Sequence, residues 1–290
     1  MSTVERVIQE AIEQKVFPSA VCAVLLGGRV KYQGAFGKPD PERDDPASPN
    51  TVYDLASLTK PLSAATLALL ALEEGKLTLE TPVTRFFPDA KHLQGVLVKH
   101  LLTHTAGLPA WRALYKNADT REAVLHAALN IPRTRPPAQG YTYSDLGYIL
   151  VGAILEQVYE QSLAELFRAK IAEPLGLQST AYCPPAEWRE RIAPTAHSES
   201  RPNAVLRGEA HDENAHALGG VAGHAGLFGT APAVGAFARA VLRTVAPNAA
   251  SKIAARTGAH TGAHHGRGIR NRRSQSSRDR GKPTRRFSHT

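Results

Sequence analysis

Cysteine is scarce in this 290-residue chain, which has only Cys22 and Cys183. Two cysteines are too few for a disulfide framework, and Cys22 lies in an apolar run that predicts a buried, unreactive thiol. Long apolar runs are also missing, because the longest, near residues 64–72, is far too short to cross a bilayer. The first 15 residues mix acids and bases and lack the features of an export signal. We therefore expect a cytoplasmic protein with no membrane partner.

The excess of positive charge belongs to one end of the chain. Of the 35 Lys and Arg residues, 11 lie in residues 252–290, which hold one of the 26 acidic residues, Asp279. The remainder is nearly neutral, with 24 basic and 25 acidic side chains. The tail has few apolar groups to offset the entropy cost of ordering a chain, ~1–2 kcal/mol per residue for the backbone alone. We predict one domain over residues 1–250 and a basic, disordered tail over residues 251–290.

Hydrophobic periodicity predicts a mixture of helices and strands. Helical patterns lie near residues 3–15, 57–74, 97–109, 120–130, 146–160, 162–173 and 231–243. The run S-A-V-C-A-V-L-L, the pair Gly27-Gly28 and the run R-V-K-Y-Q-G-A-F predict a β-hairpin with a two-glycine turn. The helix predicted over residues 57–74 is apolar on nearly every side, so we expect it to be buried. A largely helical lobe, over residues 61–210, is inserted between segments that mix strands and helices.

The stretch A-S-L-T-K, residues 56–60, places a serine and a lysine on one face of a helix. Pro61 is tolerated only in a first turn, so Ser57 should lie at the helix N-terminus. The unpaired N–H groups and the dipole there stabilise an alkoxide or an oxyanion. If Lys60 is buried, its neutral amine could take the proton of the Ser57 hydroxyl. The alternative is a serine N-cap followed by an ordinary surface lysine.

The stretch Y-T-Y-S-D, residues 141–145, supplies a second candidate element. Ser144 or Asp145 can cap the helix that follows. Tyr143 then lies in the loop just before that helix, where it is free to point into a cleft. A phenol beside a lysine cation ionises more readily and can serve as a general base or acid. The alternative for Tyr143 is a packed aromatic side chain.

In their order along the chain, these stretches resemble the serine β-lactamase and penicillin-binding-protein hydrolases, particularly the class C-type branch with its esterases and D-amino-acid peptidases. The resemblance covers roughly residues 5–245, and the S-x-x-K element is a signature of such acyl-enzymes. The matching stretches are S-L-T-K at 57–60, H-L-L-T-H-T-A-G-L-P at 100–109, Y-S-D at 143–145, H-D-E-N-A at 211–215 and G-H-A-G-L-F at 223–228.

The resemblance implies an α+β fold, with an antiparallel sheet flanked by helices and an inserted helical lobe. It also implies that Ser57 is the nucleophile, that Lys60 and Tyr143 transfer protons, and that the Ser57 N–H is one oxyanion donor. Asp145 occupies a place where the family often has Asn, and its charge would orient Lys60. The family needs no metal and no cofactor.

The third motif of the family, Lys or His followed by Thr or Ser and then Gly, has one candidate here, His260-Thr261-Gly262. It lies closer to Ser57 than the family pattern implies, inside a tail with no strand periodicity. The resemblance therefore implies that the C-terminal strands are missing or replaced, as a truncated or out-of-frame end would produce.

The histidines that we considered as metal ligands fall into two groups, and both give a weak metal signal. His211, His216 and His224 lack the i, i+4 spacing of helical zinc sites, and their glycine-rich surroundings predict a wall of the cleft. His260, His264 and His265 belong to the basic tail, where they could bind a metal adventitiously or stay solvated.

Three functional hypotheses follow. The first is a serine hydrolase that acts on small esters or amides, like an esterase, a β-lactamase or a D-alanyl carboxypeptidase, with esterase-like activity favoured. The second is an inactive or truncated remnant of such a hydrolase. The third is a binding protein whose basic tail meets nucleic acid or an acidic surface. Nucleic acid is disfavoured because Phe287 is the only aromatic residue in the tail.

Overall fold

The structure is a computed structural model that describes residues 2–118, 120–195, 201 and 205–245. The α-helices in this part of the chain are α1 (Thr3–Glu13), α2 (Thr66–Glu73), α3 (Val98–Leu102), α4 (Arg121–Leu129), α5 (Asp145–Tyr159), α6 (Leu163–Phe167), α7 (Glu173–Leu175), α8 (Glu213–Ala217) and α9 (Ala231–Val245). The strands there are β1 (Ser19–Leu26), β2 (Arg29–Gly37), β3 (Tyr53–Asp54), β4 (Thr180–Tyr182) and β5 (Leu227–Gly229).

The N-terminal hairpin forms as the sequence predicts. Strands β1 and β2 pair antiparallel, from Ser19 opposite Gly37 to the turn. Gly27 and Gly28 adopt positive φ angles of 59° and 73°, which glycine reaches without a steric penalty. Helix α1 contacts β2, and α9 contacts β1. The hairpin is therefore held between the first and the last described helices.

A second, small sheet brings distant segments to the nucleophile turn. Its order is β3-β5-β4, all antiparallel, and Gly229 of β5 lies opposite both Tyr53 and Thr180. Just beyond β3, the Leu55 N–H donates to the carbonyl of Leu227 at 2.8 Å. The glycine-rich segment that precedes β5 is thereby fixed beside residues 55–60.

Helix α5 forms the centre of the helical lobe. Its residues 146–155 are all buried, as expected of a helix that is apolar on every side. It contacts the neighbouring helices α2, α3, α4 and α6. Its N-terminus therefore has a fixed position, from which Asp145 reaches the candidate site.

The segment predicted as one buried helix over residues 57–74 is three elements instead. It begins with a 3₁₀ turn (Ala56–Leu58), continues as a π-helix (Lys60–Ala65) and ends as α2. Pro61 has no N–H to donate, which removes one bond from a regular α-helical ladder. The expected burial holds for one side of the segment, where Leu62 and Leu67 are buried, but not for Leu69, which is 63% exposed. Gly75 follows the helix with a φ of 69°, as predicted for its end.

Two other expectations concern the cysteines and the tail. Cys22 is half-buried rather than buried, because it lies on a hairpin whose faces are only partly covered.

The basic tail, the His260-Thr261-Gly262 candidate and the question of missing C-terminal strands all lie outside the described residues. Among the residues that are described, no helix is long and apolar enough to span a membrane. The cytoplasmic location stays a prediction.

Candidate active site

A strained turn presents Ser57 to the solvent. Ala56 adopts a φ of 45°, in the left-handed region that costs energy for a residue with a Cβ atom. Its N–H donates to Asp54 Oδ1 at 2.8 Å, and Asp54 Oδ2 accepts from the His211 N–H at 2.9 Å. Burial raises the pKa of the Asp54 carboxyl, and these two amide hydrogen bonds oppose the rise. The turn is therefore held by the Asp54 side chain, and Ser57 beyond it is exposed.

Lys60 is the buried centre of the site, with a relative exposure of only 3%. Its Nζ lies 2.9 Å from Ser57 Oγ, 2.6 Å from Asp145 Oδ1 and 3.2 Å from the carbonyl oxygen of His224. The contacts with Ser57 and His224 are hydrogen bonds, and the contact with Asp145 is an ion pair. The alternative of an ordinary surface lysine was wrong.

Two aromatic rings complete the surroundings of the Lys60 ammonium. Nζ lies 4.8 Å from the ring centroid of Tyr143 and 5.9 Å from that of Tyr148. Both distances allow a cation–π attraction. Together with the Asp145 carboxylate, these rings surround Lys60 Nζ in a place that water hardly reaches.

The loop before α5 brings Tyr143 and Asp145 to the site. Ser144 is the N-cap of α5, because its Oγ accepts from the Gly147 N–H at 3.3 Å and donates to the Pro109 carbonyl at 2.6 Å. This resolves the two capping alternatives in favour of Ser144. Asp145 is then the first helical residue, and Tyr143 lies at the cleft with 44% exposure.

His104 is a residue of the site that the sequence analysis did not identify. Its ring centroid lies 4.6 Å from that of Tyr143 and 5.0 Å from that of Tyr148. Its Nδ1 accepts from the Ser144 N–H at 3.0 Å, so the neutral ring carries its proton on Nε2. Burial, and then the charge of Lys60, lower the pKa of His104.

The sequence contained a motif that includes His104, but it gave no reason to prefer His104 over His100 as a residue of the site. The stretch at residues 100–109 contains two histidines four residues apart. His100 is buried and its Nδ1 accepts from the Leu97 N–H at 3.1 Å, away from the site. His104 adopts a φ of 59°, which turns its ring towards the tyrosines. Only the turn geometry separates the two.

These residues border one open cleft of about 560 Å³. The volume is in the range that suits a small organic molecule. The cleft is lined by Leu55, Ala56, Ser57, Leu58, Lys60, Pro61, His104, Tyr143 and Tyr148.

The expectation that His211, His216 and His224 form a wall of the cleft was wrong for their side chains, since none of the three lines it. The His224 ring is buried behind Lys60, where its Nε2 lies 2.8 Å from Asp212 Oδ1. Within the described ranges, no group of three His, Cys, Asp or Glu residues could hold a metal ion. The histidine cluster of the tail lies outside those ranges.

The sequence model of the Beta-lactamase family matches residues 4–287. Among curated proteins, the chain is 30% identical over 265 residues to an N-acetylmuramyl-L-alanine amidase of Bacillus subtilis (strain 168), a match that covers 78% of this chain and 60% of the amidase. It is also 30% identical over 200 residues to the Esterase EstB of Burkholderia gladioli, with 61% of this chain and 50% of the esterase covered. The chain thus spans about half the length of these relatives.

Among solved structures, the fold is similar to that of EstCE1, described as a hydrolase with promiscuous acyltransferase activity. The TM-score is 0.68 at 27% sequence identity, and the match covers 81% of this chain and 70% of the other.

Proposed function

This chain belongs to the Beta-lactamase family, and from that premise we propose that it is a serine hydrolase that forms an acyl-enzyme on Ser57. The fold is the α+β arrangement of that family. One observation carries the proposal: the exposed hydroxyl of Ser57 lies 2.9 Å from the Nζ of a lysine that is itself buried and paired with a carboxylate. A capped surface helix has no need for such a lysine, whereas an activated nucleophile does.

In the proposed reaction, Ser57 Oγ attacks the carbonyl carbon of the substrate while the phenolate oxygen of Tyr143 takes the hydroxyl proton. The Lys60 ammonium stabilises both the phenolate and the nascent alkoxide, because it faces the Tyr143 ring and donates to Ser57 Oγ. The Ser57 N–H, at the start of its turn, would donate to the oxyanion.

The acyl-enzyme forms when the carbon–oxygen or carbon–nitrogen bond of the substrate breaks and Tyr143 returns the proton to the leaving group. A water molecule then attacks the acyl carbon, and Tyr143 takes a proton from it. Tyr143 passes this proton to Ser57 Oγ as the bond between Oγ and the acyl carbon breaks, which releases the carboxylic acid and restores the serine hydroxyl. Tyr143 lines the same cleft as Ser57, as both half-reactions need.

Small esters are the proposed substrates, with amides as the second class. An open cleft of about 560 Å³ suits a short acyl group, and the relatives include proteins named as an esterase and as an amidase. The binding hypothesis depends on the tail, which the structure does not describe, and it stays a prediction.

Labelling with a fluorophosphonate probe tests the proposal. Fluoride leaves the probe as Ser57 Oγ bonds to phosphorus, so the intact mass of the protein should rise by one adduct. We expect Ser57→Ala to form no adduct and to lose hydrolysis of p-nitrophenyl acetate. Ser48→Ala, which removes a hydroxyl from the loop before β3 and outside the cleft, should be labelled like the unmodified protein. An unlabelled but folded protein would instead support the inactive remnant.

A further inference from the structure

The stretches H-D-E-N-A and G-H-A-G-L-F meet behind Lys60, and the reaction above gives their side chains no role. His224 is 1% exposed, and its Nε2 lies 2.8 Å from Asp212 Oδ1. Its own carbonyl oxygen accepts from Lys60 Nζ at 3.2 Å. A backbone carbonyl can hold an ammonium in place only if the backbone that carries it is itself fixed.

Asp212 has an anchor that does not depend on His224. It is the N-cap of α8, where its Oδ1 also accepts from the Ala215 N–H at 2.7 Å. Burial alone would raise the pKa of Asp212, but the hydrogen bond and charge of His224, the Ala215 N–H and the charge of Lys60 together outweigh burial and lower it. Asp212 is therefore a carboxylate near neutral pH, and the His224 ring donates its Nε2–H to it.

The same segment also holds the nucleophile turn. The His211 N–H donates to Asp54 Oδ2, and the other oxygen of Asp54 accepts from the Ala56 N–H, one residue before Ser57. His211 thus connects to the turn that carries the Ser57 hydroxyl. The adjacent residue, Asp212, connects to the loop of His224, whose carbonyl contacts the Lys60 amine.

Close packing restricts the loop of His224 on its other side. A Cβ atom at Gly223 would lie 2.1 Å from the carbonyl oxygen of Tyr148 in α5. The loop backbone is therefore in direct contact with α5, while the His224 ring fastens it to α8. Together, these contacts leave the His224 carbonyl little freedom to turn away from Lys60.

We propose that Asp212 and His224 are a positioning pair that holds the Lys60 ammonium against Ser57, an inference that rests on the proposed acyl-enzyme. If the pair is broken, the carbonyl shifts and the buried ammonium has only Asp145 and Ser57 as acceptors. The stronger attraction of the carboxylate then draws Nζ away from Ser57 Oγ. Acylation slows, while the cleft that binds the substrate is unchanged.

Two pairs of substitutions test the role. Asp212→Ser keeps an N-cap for α8 but is too short to reach the His224 ring, whereas Asp212→Asn keeps both the cap and an acceptor. His224→Leu removes the donor, whereas the amide nitrogen of His224→Gln can stand in for Nε2. For p-nitrophenyl acetate we expect kcat to fall about tenfold or more in Asp212→Ser and in His224→Leu, with KM within about twofold. The Asn and Gln variants should recover most of that loss.

Fluorophosphonate labelling and thermal unfolding decide between the outcomes. Slow labelling of Ser57 with a melting temperature close to that of the unmodified protein supports positioning. Unchanged kcat in folded Asp212→Ser overturns the inference and leaves the proposed function intact. A higher KM and a lower melting temperature in all four variants, including Asp212→Asn and His224→Gln, would also overturn it. The pair would then have only a structural role. An unmodified protein that takes no label overturns both proposals together.

Discussion

At the scale of single residues, the charge on Lys60 is the property that decides the chemistry. Its Nζ lies 2.6 Å from Asp145 and next to two aromatic rings, and its exposure is only 3%. Asp145 is 20% exposed, so the pair is largely shielded from solvent. Breaking this shielded ion pair would leave a buried charge without its partner, which is costly. This is why the proposed reaction gives the proton transfer to Tyr143.

Replacing Asp145 by Asn should show how much the ion pair contributes to catalysis. Without the carboxylate 2.6 Å from its Nζ, Lys60 is held less firmly beside Ser57 Oγ, so we expect kcat/KM for p-nitrophenyl acetate to fall about tenfold or more. The measurement compares kcat/KM of the variant with that of the unmodified protein. Asp89→Asn, which changes an exposed carboxylate outside the cleft, should leave kcat/KM unchanged. An Asp145→Asn protein as active as the unmodified one would show that the ion pair has no part in the reaction.

At the scale of elements, α5 positions both sides of the site. Ser144 caps its N-terminus, and Asp145 extends from its first turn to Lys60. Two turns further on, Gly152 lies against the loop of His224, because a Cβ atom there would be 2.9 Å from the Gly223 nitrogen. The helix thus supplies the Asp145 carboxylate to Lys60 directly, and through the loop it supports the His224 carbonyl.

Two glycines in α5 make a matched pair of substitutions. Gly152→Ala forces a methyl group against backbone, so we expect a loss of about 1–3 kcal/mol in the free energy of unfolding and a lower kcat. Gly147→Ala should be tolerated, because the nearest atom would be 3.6 Å from its Cβ. Urea unfolding and ester hydrolysis measure both variants.

Equal stability and equal kcat in the two alanine variants would contradict this account of α5. The helix would then tolerate a displaced loop, and the contact between Gly152 and Gly223 would have no bearing on Lys60.

At the scale of the whole molecule, stability should fall in mild acid. The Nδ1 atoms of His100 and His104 both accept backbone N–H groups, from Leu97 and from Ser144. Burial lowers the pKa of both side chains from the ordinary 6.5. As the pH falls below 6.5, these two histidines therefore bind protons in the unfolded chain before they do so in the folded protein. The free energy of unfolding should decrease as the pH falls through that region and should lose this dependence above it.

Urea unfolding between pH 7.5 and pH 5 measures the effect. His104→Asn is the matched variant, because its Oδ1 can still accept from the Ser144 N–H and Asn tolerates a positive φ angle. It should reduce the dependence on pH and leave the part that His100 contributes. A dependence that is the same in both proteins would show that His104 does not titrate in the folded state as proposed.

Features that depend on neighbouring residues could be predicted from the amino-acid sequence. Gly27-Gly28 specified the hairpin turn, Ser144 was one of two proposed caps for α5, and the spacing of Ser57 and Lys60 placed them on one face. These interactions span only a few residues, so propensity and periodicity are enough to predict them. The family followed from the order of such stretches.

The surroundings of Lys60, in contrast, depend on contacts between segments that are far apart in the chain. The His224 carbonyl that reaches it is 164 residues away along the chain, and Asp145 arrives on a separate helix. Periodicity also gave no reason to choose His104 over His100, or to pair Asp212 with His224. Such contacts arise from how α5, α8 and the small sheet pack, and packing joins segments whose separation along the chain carries no pattern.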